Sequence, residues 1–162
     1  MRHSKKFLSG LVIFLLIISC DGPQSVSEQS PLHIIPNPVE MITQDGDFII
    51  NGKTIIHYLV DNDLEKEATY LTDLIEEISG LEVKVSDQNR SKNTIGLSVN
   101  SDMSNPEGYV LSVLEDGISI EGGSPSGVFY GIQTLRQLFP EVPEDYRGKL
   151  SAACCEMSRA LF

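Results

Sequence analysis

From residue 109 the chain runs through two alternating stretches, a turn between them, a bend, and then a change of period. Tyr109, Leu111 and Val113 share one side of a two-residue period, with Val110, Ser112 and Leu114 on the other. This pattern predicts a strand. Asp116-Gly117 predicts a tight hairpin, because primed turns need residues that tolerate positive φ. Ile118 and Ile120 resume the alternation. Ser124 in a capping position and Pro125 at the first helical position then predict a helix start. Val128, Ile132, Leu135 and Phe139 follow at i, i+4, i+7 and i+11, a single apolar stripe suited to packing on a sheet. Gly127 and Gly131 lie one turn apart on this helix. Each costs about 1 kcal/mol of helix propensity, so another element is expected to approach closely there. Both are candidates for packing against a further domain. The alternative for Gly127 is a frayed helix start.

Upstream, the pattern predicts a second helix over residues 62–79. Leu64, Ala68, Leu71, Ile75 and Ile78 form its stripe, and Asn62 with Glu65 resembles a capping box. Gly80 stands where a left-handed C-terminal residue belongs. Short strands are expected at 39–43 and 48–50, joined through Asp45-Gly46, and again at 54–59, 81–85 and 94–99. Pro36 and Pro38 confine residues 34–38 to a strand end or sheet edge. This order predicts an α+β fold: a mixed, mostly antiparallel sheet with two helices packed on one face.

The first 19 residues differ in kind and predict a targeting segment. Arg2, Lys5 and Lys6 precede an apolar run at 11–18 that is too short to span a bilayer. Ile17-Ile18-Ser19-Cys20 resembles a bacterial lipoprotein cleavage box, which implies lipidation of Cys20; the alternative is an ordinary cleaved signal. Several acyl chains on one residue give stable anchoring where a single chain does not. Residues 20–31, rich in Ser, Gln, Gly and Pro, read as a flexible tether. The expected location is the bacterial cell envelope, lipid-anchored in the periplasm or outer membrane.

Charge narrows the partners. Net charge is −11 over 162 residues, and without Arg2, Lys5 and Lys6 the rest carries 9 basic against 23 acidic residues. A nucleic-acid partner is therefore not expected. There is no tryptophan to form a sugar-stacking platform. His33 and His57 lack metal-ligand spacing, and no cofactor or metal is expected. The acidic residues of 62–79 point outward at helical spacing and read as a solvated face. Residues 122–127 are glycine-rich but lack the Gly-Lys-Ser/Thr ending of a phosphate loop. Cys154 and Cys155 are adjacent, which is not a Cys-x-x-Cys redox spacing, and they read as incidental thiols.

Three stretches together resemble a known family. They are Glu107-Gly108-Tyr109, Gly117-Ile118-Ser119-Ile120, and the string FYGIQTLRQL at 129–138; Ile34-Ile35-Pro36-Asn37-Pro38 adds a fourth. The region 32–150 resembles the N-terminal accessory α/β domain of family 20 glycoside hydrolases, the β-N-acetylhexosaminidases. The resemblance implies a partner, the catalytic (β/α) barrel of an intact enzyme, with glycan substrate engaged only through that barrel. Such enzymes use an adjacent Asp-Glu pair on the barrel, with the substrate's acetamido oxygen as nucleophile. No Asp-Glu dipeptide occurs in this chain, so no catalytic or substrate-binding residue is assigned. Residues 151–162 only faintly echo the opening strand of the barrel, and the expectation is that they begin a lost or truncated catalytic region. Two further readings stand beside this one. One is a stand-alone envelope lipoprotein that binds a glycan or protein partner without catalysis. The other is the similar accessory domain of other glycosidases such as α-glucuronidases, against which the FYGIQTLRQL string argues.

Overall fold

Seven strands form one mixed sheet in the computed structural model, which describes residues 33–59, 62–87 and 90–159. In chain order the elements are β1 (Glu40–Ile50), β2 (Ile55–Tyr58), α1 (Glu65–Ser79), β3 (Lys84–Ser86), β4 (Thr94–Val99), β5 (Tyr109–Leu114), β6 (Gly117–Gly122), α2 (Pro125–Leu138) and β7 (Leu150–Arg159). The sheet order is β1-β7-β5-β6-β4-β2-β3. Among the described residues β1/β7, β7/β5 and β5/β6 pair antiparallel, whereas β6/β4, β4/β2 and β2/β3 pair parallel. The α+β class holds, with the two kinds of pairing balanced. Each helix links two strands that run parallel, β2 to β3 through α1 and β6 to β7 through α2, while a two-residue turn joins the antiparallel pair β5 and β6.

The pleat sorts side chains into two faces. One row across the sheet is Ile56, Ile95, Ile118, Val113 and Cys155, all buried. The next residues along, His57, Gly96, Ser119, Ser112 and Glu156, form a polar row on the opposite face. Both helices lie on the apolar side. Val128, Ile132 and Leu135 of α2 and Leu71 and Ile75 of α1 are fully buried in the same core.

Four expectations are corrected. First, α1 starts at Glu65, not at 62, and no side chain caps it. Asp63 adopts a left-handed φ of 49°, which interrupts the helix, and Leu64 is buried in the core instead of presenting a cap. Second, β1 is one strand. The Asp45-Gly46 segment forms an irregularity between Thr43 and Asp47 instead of a hairpin turn. Third, residues 150–159 do not begin another domain: β7 sits inside the sheet between β1 and β5. Its inward residues are Leu150 and Ala152, then Cys155 and Met157. The inward set changes parity opposite the β1 irregularity, which hides the strand from a period-2 reading.

Fourth, Gly127 and Gly131 face this domain's own sheet. A Cβ on Gly131 would collide with the Ile120 side chain, with the Tyr109 ring in ordinary contact beside it. A Cβ on Gly127 would meet only backbone, the carbonyl oxygens of Gly108 and Pro106 and the Cα of Gly122. Their purpose is to let α2 settle onto the β5–β6 hairpin. Ser124 Oγ donates 2.7 Å to the Pro106 carbonyl, tying the loop before β5 to the helix start, and leaves the helix without a side-chain cap.

Gly127→Ala should therefore destabilise the chain by about 1–3 kcal/mol through overpacking, although alanine is the better helix former by about 1 kcal/mol. Denaturant unfolding measures this. A more stable Gly127→Ala chain would mean that α2 does not sit this close to the sheet.

Candidate functional site

The apolar stripe of α2 accounts for its inward face, so aromatic residues off that stripe must point elsewhere. Phe129 and Tyr130 are each 38% exposed on the outer face of the helix. Their rings lie 6.0 Å apart in an edge arrangement, and Phe129 packs at 5.3 Å against Tyr70 from α1. Gln133 Nε2 donates 3.0 Å to the Tyr70 hydroxyl, so the two helices are joined along this ridge. Aromatic side chains lose little conformational entropy on contact and carry much of the energy at protein interfaces.

A strap formed by the leading residues borders the ridge. Ile34 is buried in the core, while Ile35 is 76% exposed. The Gln137 carboxamide grips the strap from α2: Ile35 N–H donates 2.8 Å to Gln137 Oε1, and Gln137 Nε2 donates 3.0 Å to the Ile35 carbonyl. Arg159 Nη1, at the end of β7, donates 3.4 Å to the Pro36 carbonyl. Between strap, helix and sheet lies a notch of about 210 Å³, lined by Pro36, Tyr130, Gln133, Gln137 and Arg159 among others. Its floor is the hydrogen-bonded pair Tyr109 Oη and Thr134 Oγ1, both buried.

The residues singled out for chemistry do not converge. His57 Nδ1 lies 3.1 Å from the Ser86 carbonyl, and His33 is exposed elsewhere. No group of three or more His, Cys, Asp or Glu that could hold a metal occurs among the described residues. Residues 122–124 form the bend into α2, and Gly123 N–H donates 2.9 Å to the Gly108 carbonyl instead of facing a ligand. Cys20 lies outside the described residues. Sequence reasoning missed Tyr130, Gln137 and Arg159. For Tyr130 a signal existed, since two adjacent aromatics stand off the apolar stripe. For Gln137 and Arg159 there was none, because their partners at Ile35 and Pro36 are more than one hundred positions away.

The comparisons with known proteins agree with this architecture. The family model described as Glycosyl hydrolase family 20, domain 2 matches residues 32–154. A β-hexosaminidase of Porphyromonas gingivalis is 33% identical over 111 residues, covering 67% of this chain and 14% of that protein. The GH20 β-N-acetylhexosaminidase of Streptomyces coelicolor A3(2) superposes with a TM-score of 0.70 at 26% identity, over 78% of this chain and 26% of that one. The N-acetyl-β-hexosaminidase of Streptomyces plicatus, solved in complex with Thio-NAglucal, gives 0.64 at 28% identity, over 80% and 26%. The chain thus spans about a quarter or less of the length of these relatives.

The buried thiols of β7 give a pH dependence. Burial, then the neighbouring Cys154 thiol, pushes Cys155 up to about 11. Burial, followed by the negative charges of Glu115 and Asp47, raises Cys154 as well. Thiols whose pKa is raised on folding favour the native state while protonated. That contribution is complete below the ordinary value near 9 and is lost as pH rises toward about 11. Stability should fall over this window and fall less in Cys155→Ala. Equal pH slopes in the two proteins would contradict the burial of this thiol.

Proposed function

Because this chain belongs to glycosyl hydrolase family 20 through its domain 2, we propose that it serves as the non-catalytic N-terminal domain of a β-N-acetylhexosaminidase. In the intact enzyme the reaction is release of terminal β-linked N-acetylhexosamine from glycans by the substrate-assisted, retaining route. The observation that carries this reading is the family match over residues 32–154, which takes in every element from β1 to α2 and half of β7. The site chemistry agrees with a supporting role. His33, Glu77, Glu141 and Glu144 share one cleft beside the end of α2, but the adjacent Asp-Glu pair of the family's barrel does not occur in this chain.

In this proposal the outer face of α1 and α2 is the side that meets the catalytic barrel. Tyr70, Phe129 and Tyr130 offer a joined aromatic surface there. The opposite sheet face offers serine, glycine and charged residues with scattered aliphatics such as Ile42, Ile49 and Leu114, but no aromatic cluster. Interface cores are enriched in aromatic residues, which favours the aromatic ridge of the helix side, away from the acidic residues of α1. The lipid anchor at Cys20 belongs to the same proposal. It rests on the box at 17–20 and the polar tether behind it, and it puts the domain at the bacterial cell envelope.

One experiment addresses both parts. The full chain and Cys20→Ser are expressed in a bacterial host, fractionated, and assayed with an aryl β-N-acetylglucosaminide. The parent chain should partition with membranes, Cys20→Ser should be soluble, and neither should turn over substrate. Turnover that co-purifies with the chain and disappears on mutating one of its residues would overturn the non-catalytic reading. Equal membrane partition of both proteins would overturn the anchor.

A further inference from the structure

The notch between the strap and α2 contains an imbalance of charge. Arg159 is half-buried at the end of an internal strand, and its hydrogen bond goes to a backbone carbonyl. No carboxylate pairs with it among the described residues, and none lines the notch. This occurs in a chain of net charge −11, where carboxylates are the commonest charged groups. A cation drawn partly out of water without a counterion is costly, and guanidinium groups in such places meet carboxylates in paired, charge-assisted hydrogen bonds. The rest of the lining suits the same guest. The Gln133 and Gln137 carboxamides and the Tyr130 ring surround the opening, and the Tyr109–Thr134 hydroxyl pair closes the base.

We propose that this notch is a socket for one carboxylate side chain, presented by the catalytic domain that packs on the aromatic ridge, with Arg159 as the residue that receives it. The inference rests on the docking face proposed above and adds the chemistry of the contact. Size is compatible with this occupant: at about 210 Å³ the notch has room for a Glu or Asp side chain and is smaller than the roughly 300–1,000 Å³ of drug-sized ligand sites. Position agrees, since Tyr130 belongs both to the notch and to the ridge. Gln137 has a positioning part: by gripping Ile35 it holds Pro36 as one wall of the socket.

The test uses the full chain and reads arginine side-chain Nε–H resonances by NMR at constant ionic strength. The probes are acetyl-Gly-Glu-Gly-amide, the matching Gln peptide, and glucuronate. The Glu peptide should move the Arg159 signal in a saturable way. Half-saturation should come at a roughly tenfold lower concentration than with the Gln peptide. Arg136 and Arg147, exposed elsewhere, should respond no more than to added salt. Arg159→Gln should abolish the accompanying shifts at the Thr134 and Gln137 amides, and Arg159→Lys should retain a weaker response. An Arg159 signal that moves no more than those of Arg136 and Arg147 overturns the socket, and needs no variant to fold. Equal response to the Glu and Gln peptides overturns the carboxylate. Stronger binding of glucuronate overturns the side-chain occupant. The non-catalytic reading fails separately, through turnover in the hydrolysis assay, which does not involve Arg159.

Discussion

The closeness of α2 to the β5–β6 hairpin is the constraint on which the rest of this domain depends. At Gly127 the helix meets the backbone around Gly108 and Gly122 with no room for a methyl group, and at Gly131 it meets Ile120 and Tyr109. The approach buries Val128, Ile132 and Leu135 completely. Each fully buried aliphatic side chain contributes about 1.5–3 kcal/mol, which outweighs the roughly 1 kcal/mol that a helical glycine costs. The close seat also fixes the rotation of the helix about its axis. With the glycine and aliphatic side turned inward, Phe129, Tyr130, Gln133 and Gln137 must face out. Ridge, strap and notch therefore follow from where two glycines sit.

Much of this was legible in the sequence where local and tertiary demands coincide. The Pro125 helix start and the Gly80 helix stop are where the pattern placed them. The β5–β6 hairpin forms too, but its loop is Glu115-Asp116, with Gly117 already paired to Leu114 and no positive φ in the turn, so it is not the primed turn the sequence predicted. The motif FYGIQTLRQL at 129–138 carried the family, and that string lies in the helix whose seat organises the domain. Legibility failed where tertiary contacts override a local signal. Leu64 fills the core and displaces the expected cap of α1. The change of inward parity between Ala152 and Cys155 hid β7, so a strand internal to the sheet read as the beginning of something else. The two glycines were rightly singled out for close packing and assigned to the wrong neighbour. Sequence spacing reveals that something approaches a helix but not from which side.

The two faces of the sheet divide the labour. The apolar rows are consumed by α1 and α2, and the outward rows mix small, polar and charged residues with exposed aliphatics such as Ile42, Ile49 and Leu114, without an aromatic cluster. The free aromatic surface is therefore on the helices, beside a strap whose grip by Gln137 and Arg159 brings the leading residues and the last strand together. A domain built this way leaves an aromatic ridge exposed, and its sequence carries no adjacent Asp-Glu pair. Both features fit a supporting domain in a hexosaminidase.

The central claim concerns which face meets the catalytic domain. The most direct measurement replaces the matched region of the Porphyromonas gingivalis β-hexosaminidase with residues 32–159 of this chain and follows thermal unfolding. One lysine is introduced at a time, at Phe129 on the helix face or at Ser119 on the sheet face. The account predicts that the unaltered graft unfolds in one transition, that Phe129→Lys splits it into two, and that Ser119→Lys leaves it single. Splitting by Ser119→Lys, with none by Phe129→Lys, would contradict it.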